Sequence, residues 1–138
     1  MPDPLTPQQL ERVHLLLDQV AERQRNDFGH IVSDVKPDGS LITACDRWSD
    51  AAFVQGLAEI APGEGVLSEE GSQECPSSQA YWVVDPLDGT TNFLHGIPHF
   101  AISIAVRDKG KITAALVFDP LRHEYFFAEA GSGAYTSG

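Results

Sequence analysis

Basic side chains are scarce in this sequence. Nine Lys and Arg stand against twenty Asp and Glu in 138 residues, for a formal net charge of −11. A surface of that sign repels a phosphate backbone, which excludes nucleic acid as an expected partner. No apolar run approaches the roughly 20 residues of a membrane-spanning helix. The opening MPDPLTPQQL lacks the basic and apolar layout of a secretory signal. No membrane association and a cytoplasmic location are therefore expected. Only two cysteines occur, Cys45 and Cys75, with neither ligand-like spacing nor a disulfide framework, so both are expected as reduced thiols. Internal repeats are also missing. What remains, 42% hydrophobic and 21% charged residues, suits one globular domain over 1–138 with a real core.

Along the chain, Thr6, Pro7 and Gln9 have the form of a helix start: a hydroxyl cap, a proline in the first turn and a Gln three residues on. Leu10, Val13, Leu17 and Val20 follow at helical spacing and predict a helix to about Arg25. IVSDVKPDGSLIT predicts a hairpin turning at 36–39. A second helix is expected to follow Asp46, burying Phe53, Leu57 and Ile60 and ending at Pro62-Gly63. Next come GVLS and AYWVV, the latter apolar on both faces as in a central strand. Residues 99–130 predict three antiparallel strands, turned at 108–110 and at Asp119-Pro120. The small residues of GSGAYTSG predict a flexible tail without a closing element. Two helices followed by a meander imply an α+β fold, with helices covering one face of a largely antiparallel sheet. Trp48 and Trp82 are expected in the core.

Carboxylates stand where strands are expected to end: Asp46 in TACD, Glu69 and Glu70 in LSEEG, Asp85 and Asp88 in WVVDPLDGTTNF. If those ends gather at one sheet edge, four or five like charges meet and require cations. An all-oxygen set suits a hard ion, Mg²⁺ before Zn²⁺, since no His or Cys lies near enough in sequence to join it. An EF-hand is excluded, because DVKPDG places Lys36 at a ligand position and DPLDG has the wrong spacing. Gly89 lets backbone amides approach a ligand closely, and a short helix starting at Thr90 or Thr91 would aim N–H groups at a phosphate. Pro86 stiffens the turn and leaves the Leu87 carbonyl free to face a metal.

Blander roles stand beside these. Asp46 is also a fitting helix N-cap, Lys36 a fitting solvated turn residue and Glu70 a fitting surface charge. His95 and His99 have Gly96 and Pro98 between them, which argues against a metal pair on a helix. His14, His30 and His123 are expected at the surface. Ser68 lacks a paired histidine and is expected as a strand-end residue rather than a nucleophile.

At WVVDPLDGTTNF, with SEEG upstream and TACD before it, the sequence resembles the inositol monophosphatase family of Mg²⁺-dependent, lithium-sensitive phosphatases. The resemblance implies the N-terminal lobe of a layered α/β/α/β/α sugar-phosphatase fold. It makes Glu69, Asp85 and the Leu87 carbonyl ligands of a first metal, with Asp85 and Asp88 on a second; the full family site holds two or three Mg²⁺. It gives the substrate phosphate to Gly89 and Thr90, with Asp88 beside them. Glu69, and Thr90 hydrogen-bonded to Asp46, would orient the attacking water, with Glu70 and Lys36 in support. The implied reaction is hydrolysis of a small phosphorylated polyol, inositol monophosphate first. Family alternatives are histidinol phosphate, fructose 1,6-bisphosphate and 3′-phosphoadenosine nucleotides.

The resemblance covers nearly all of this chain, whereas the family's usual length is about twice as great. Members continue into a second lobe carrying a Trp-Asp motif with a further metal-binding aspartate. The Trp48-Ser49-Asp50 stretch lies upstream, in the second helix, and is no substitute. A split or truncated gene product is thus one expectation: a non-catalytic lobe that binds metal. An uncovered sheet face and a homodimer or other association through it are further ones.

Overall fold

The computed structural model describes residues 5–71 and 75–137. Helix α1 spans Pro7–Asp27, two residues beyond the expected end. Its start is a capping box: Thr6 Oγ1 accepts from Gln9 N at 3.1 Å, and Gln9 Oε1 accepts from Thr6 N at 3.0 Å. Strands β1 (Ser33–Val35) and β2 (Leu41–Thr43) form the expected hairpin, with Gly39 at φ +88° in its turn.

Helix α2 covers Ala44–Ile60. It begins before Asp46, not after it, because Thr43 is the cap. Asp46 is instead the third helical residue and closes a second capping box. Phe53, Leu57 and Ile60 do face inward. Trp48 does not: it is 39% exposed, with the Arg23 guanidinium over its ring at 5.1 Å. The α2 face turned toward α1 and the sheet is already filled by Phe53 and Leu57, leaving the indole to snorkel beside a cation.

Six strands make the main sheet in the order β3-β4-β5-β6-β7-β8. They are Gly65–Ser68, Ala80–Asp88, Ala101–Asp108, Lys111–Asp119, Glu124–Glu129 and Gly133–Ser137. Only β3 and β4 run parallel. The tail expected to be flexible is therefore an edge strand, with Phe126 opposite Thr136 and Phe127 opposite Tyr135. Pairing with β7 supplies its hydrogen bonds, although all five of its residues are exposed. Gly138, the last residue of that tail, lies outside the described residues.

Both helices cover one face of the sheet. Val13, Leu17 and Val20 of α1, and Phe53 and Leu57 of α2, pack with Trp82, Ile102, Leu116 and Phe118. This is an α+β lobe of two main helices on a largely antiparallel sheet. A smaller cluster of Cys45, Leu87, Phe93 and Phe100 lies at the end where the DPLDG stretch emerges. There Phe93 meets Phe100 edge-on, with ring centres 5.0 Å apart. Among the described residues, no helix is long and apolar enough to cross a membrane.

Candidate active site

Strand β4 does not stop at Asp85. Asp85 pairs with Ser103 and Asp88 with Ala101, so the strand runs on across an irregularity formed by Pro86 and Leu87. Proline has no N–H to donate, which suits it to a bulge. Leu87 turns its side chain into the small apolar cluster and is 3% exposed. The Pro86 carbonyl, lacking a ladder partner, accepts from Gln24 Nε2 at 2.8 Å. The two carboxylates of the motif thus stand on either side of a bulge held from beneath.

Asp85 is the most perturbed acid here. Burial pushes its carboxyl up to about 7, helped by a hydrogen bond with Glu69 and by the charges of Glu69 and Asp88. Its Oδ1 is buried with no hydrogen-bond partner among the described residues. Glu69 comes beside it because the β3–β4 parallel pairing continues one step further, with Glu69 N donating to Val84 O at 3.3 Å. Ser68 ends β3 buried, and its Oγ accepts from Gly71 N at 3.1 Å.

The other acids have partners elsewhere. Glu70 is paired with Lys36 of the hairpin turn at 2.6 Å, with side chains 8% and 20% exposed. That contact, chiefly its hydrogen bond, holds the Lys36 ammonium above its ordinary range. Asp46 is buried; its Oδ2 accepts from Thr43 N at 2.8 Å and its Oδ1 from Thr90 Oγ1 at 2.9 Å. The expected gathering of four or five acids is accordingly narrower. Glu69 and Asp85 touch, Asp88 acts on Asp85 through its charge, and Asp46 and Glu70 face their own donors. Among the described residues, no three His, Cys, Asp or Glu side chains are grouped as a ready metal cage. Unneutralised like charges repel, and Asp46 and Glu70 turn to donors of their own.

Thr90 opens α3 (Thr90–Leu94), and Gly89 precedes it at φ +97°. A Cβ on Gly89 would stand 2.9 Å from the His99 carbonyl, so both conformation and space demand glycine. With no capping side chain on α3, the amides of its first turn are unbonded within the helix. His95 and His99 are exposed; the His95 ring contacts the Thr91 carbonyl and His99 O accepts from Asn92. His14 and His123 pack against the Tyr125 ring, whose hydroxyl donates to Asp18. Both cysteines are free, Cys45 buried and Cys75 exposed.

A divalent cation fits this donor set by one criterion: Asp85 has a buried oxygen without a partner beside two further acids. Glu69, Asp85, Asp88 and the Leu87 carbonyl are the oxygens that would hold it. Gln24 was missed in the sequence, although its position was informative. It follows Val20 by four residues, where the helical repeat calls for an apolar side chain.

A family model described as the inositol monophosphatase family matches residues 5–138. Inositol-1-monophosphatase of Rhizobium meliloti is 42% identical over 113 residues, covering 79% of this chain and 42% of that protein. Nus factor SuhB of Pasteurella multocida is 42% identical over 101 residues, covering 72% and 38%. Among solved structures, an IMPase from Thermotoga maritima superposes with a TM-score of 0.85 at 33% identity, covering 94% of this chain and 51% of the other. An IMPase/NADP phosphatase complexed with Mg²⁺ and phosphate gives 0.81 at 26% identity, covering 95% and 51%. The chain thus spans about half the length of these proteins, matching the N-terminal half of the solved ones.

Proposed function

Since this chain belongs to the inositol monophosphatase family, we propose that it is the metal- and phosphate-binding lobe of a Mg²⁺-dependent phosphomonoesterase. Inositol monophosphate is the leading substrate. One observation carries the reading: the Asp85 carboxylate is partly buried beside Glu69, with Asp88 near and one buried oxygen unsatisfied among the described residues. Such a group needs positive charge. Glu69, Asp85, Asp88 and the Leu87 carbonyl would hold a divalent cation there, which would supply that charge, offset the charge of phosphate oxygens and lower the pKa of a bound water.

The chain's own groups do the rest by placement. Gly89 brings the backbone close enough for its amide and that of Thr90 to donate to phosphate oxygens. Thr90 donates its hydroxyl hydrogen bond to Asp46, which leaves its hydroxyl oxygen as an acceptor able to orient an incoming water. Glu69, one residue past β3, would act on the same water. Lys36 neutralises Glu70 and so spares Glu69 a second adjacent charge. Positioning and charge neutralisation are what phosphoryl transfer requires of a protein.

A second reading rests on the acids themselves. Among the described residues no three His, Cys, Asp or Glu side chains form a group, so these residues would bind metal and phosphate without turnover of their own. The test is phosphate release from inositol 1-phosphate with Mg²⁺, alongside calorimetric Mg²⁺ binding, for the wild-type chain and Asp85→Asn. Turnover abolished by the substitution supports the enzyme. Binding without turnover supports the lobe, and no Mg²⁺ binding sinks both.

A further inference from the structure

Gln24 is 0% exposed, at a place on α1 where Val13, Leu17 and Val20 lead one to expect another apolar side chain. Its amide nitrogen donates twice, to Pro86 O at 2.8 Å and to Ser49 Oγ at 3.1 Å. The Pro86 carbonyl can only accept, which fixes which end of the amide faces it. In that orientation Gln24 Oε1 is left buried without a partner among the described residues. Burying an unsatisfied oxygen is unfavourable, and a Met or Leu would avoid it. What the amide provides in return is the donor for a carbonyl that the bulge has lifted out of the sheet ladder.

We propose that Gln24 is a positioning residue for the divalent-cation site: by pinning the Pro86 carbonyl it holds the bulge that sets Asp85 and Asp88 toward one ion. The inference rests on the metal-binding reading above. Two neighbouring anchors fix the bulge by different means. Leu87 is held by apolar packing against Phe93 and Phe100, and Pro86 by a buried hydrogen bond from another element. Packing tolerates small shifts, whereas a 2.8 Å hydrogen bond fixes the peptide's orientation. Gln24 touches neither cation nor substrate and acts only through Pro86.

The test compares Gln24→Met, which keeps shape and removes the donor, with Val20→Ala, a cavity one turn earlier on the same helix. Mn²⁺ affinity is read by electron paramagnetic resonance on the full 138-residue chain. The expected result is a loss of about 10- to 100-fold in Gln24→Met, the usual range for groups that orient metal ligands, with Val20→Ala within about twofold of wild type. Equal affinity in Gln24→Met and wild type overturns the proposal, as does an equal loss in both variants. If the wild-type chain binds no Mn²⁺, the metal-binding reading fails and amide exchange decides on Gln24. Faster exchange at Leu87 to Gly89 in Gln24→Met than in Val20→Ala then supports the pinning, and equal rates overturn it. If Gln24→Met does not fold, Gln24→Asn takes its place, its amide one methylene short of Pro86.

Discussion

On the sheet face that α1 and α2 cover, Trp82, Ile102, Leu116 and Phe118 are each at most 4% exposed; on the opposite face Val117 and Phe126 are 39% and 46% exposed. The same strands build both. One row of partners on the open face runs from Asp85 through Ser103 and Val117 to Phe126 and Thr136. The acidic site is therefore one end of a face whose middle is apolar. Alternation along a strand decides which side chains share a face, but only the presence of another element decides whether that face contributes to stability.

The largest expected effect lies on the covered side. Phe118 is 0% exposed and stacks on Tyr125 with ring centres 4.2 Å apart. Phe118→Ala should cost about 3–5 kcal/mol by the usual scale for aromatic truncation in a core. Urea unfolding followed by tryptophan fluorescence reads this directly. A cost below about 1 kcal/mol would mean that the two faces do not differ as described.

At the acidic end of the open face the expected sign is reversed. The folded state raises the Asp85 carboxyl to about 7 from an ordinary value of 3.8. The folded chain then holds that proton more tightly than the unfolded chain. Without metal, the contribution of this group to stability is therefore fully present below about pH 4 and is lost as pH rises toward about 7. Asp85→Asn should flatten this slope and raise metal-free stability at pH 8 by roughly 1 kcal/mol, since solvent screens a half-exposed carboxylate. The same substitution should abolish the rise in melting temperature on adding Mg²⁺. Thermal unfolding at pH 5 and pH 8, with and without Mg²⁺, measures all three. A variant destabilised relative to wild type at pH 8 without metal would contradict this electrostatic account.

How far the sequence disclosed this arrangement depends on whether a local rule or a distant contact governs each residue. The start of α1 was legible in Thr6, Pro7 and Gln9 because a capping box is complete within four residues. The start of α2 was not, because Thr43 and Asp46 are both good N-cap types and only the reciprocal bonds show which one caps. The DPLDG and SEEG stretches were readable as one site because their residue types are unusual at strand ends. That Asp46 and Glu70 turn to Thr90 and Lys36 depends on contacts 44 and 34 residues apart, which spacing does not disclose. β8 was missed because small residues give weak strand propensity and its pairing is supplied by the β7 edge. Gln24 reads as a surface amide until its partner, 62 residues away, is seen.

The smallest change in stability is expected in the middle of the open face. Phe126 lies opposite Val117 on one side and Thr136 on the other, and among the described residues no helix covers it. Its ring gains little on folding that it would not have in the unfolded chain, so Phe126→Ser should shift unfolding by less than about 0.5 kcal/mol. Its effect should appear between molecules instead. An apolar patch left in water favours contact with any similar surface, and a formal charge of −11 elsewhere opposes general aggregation. Sedimentation velocity over a range of concentrations should show wild-type association that Phe126→Ser weakens. A monomer at all concentrations in both, combined with a large loss of stability in the variant, would show that Phe126 is covered within a single chain.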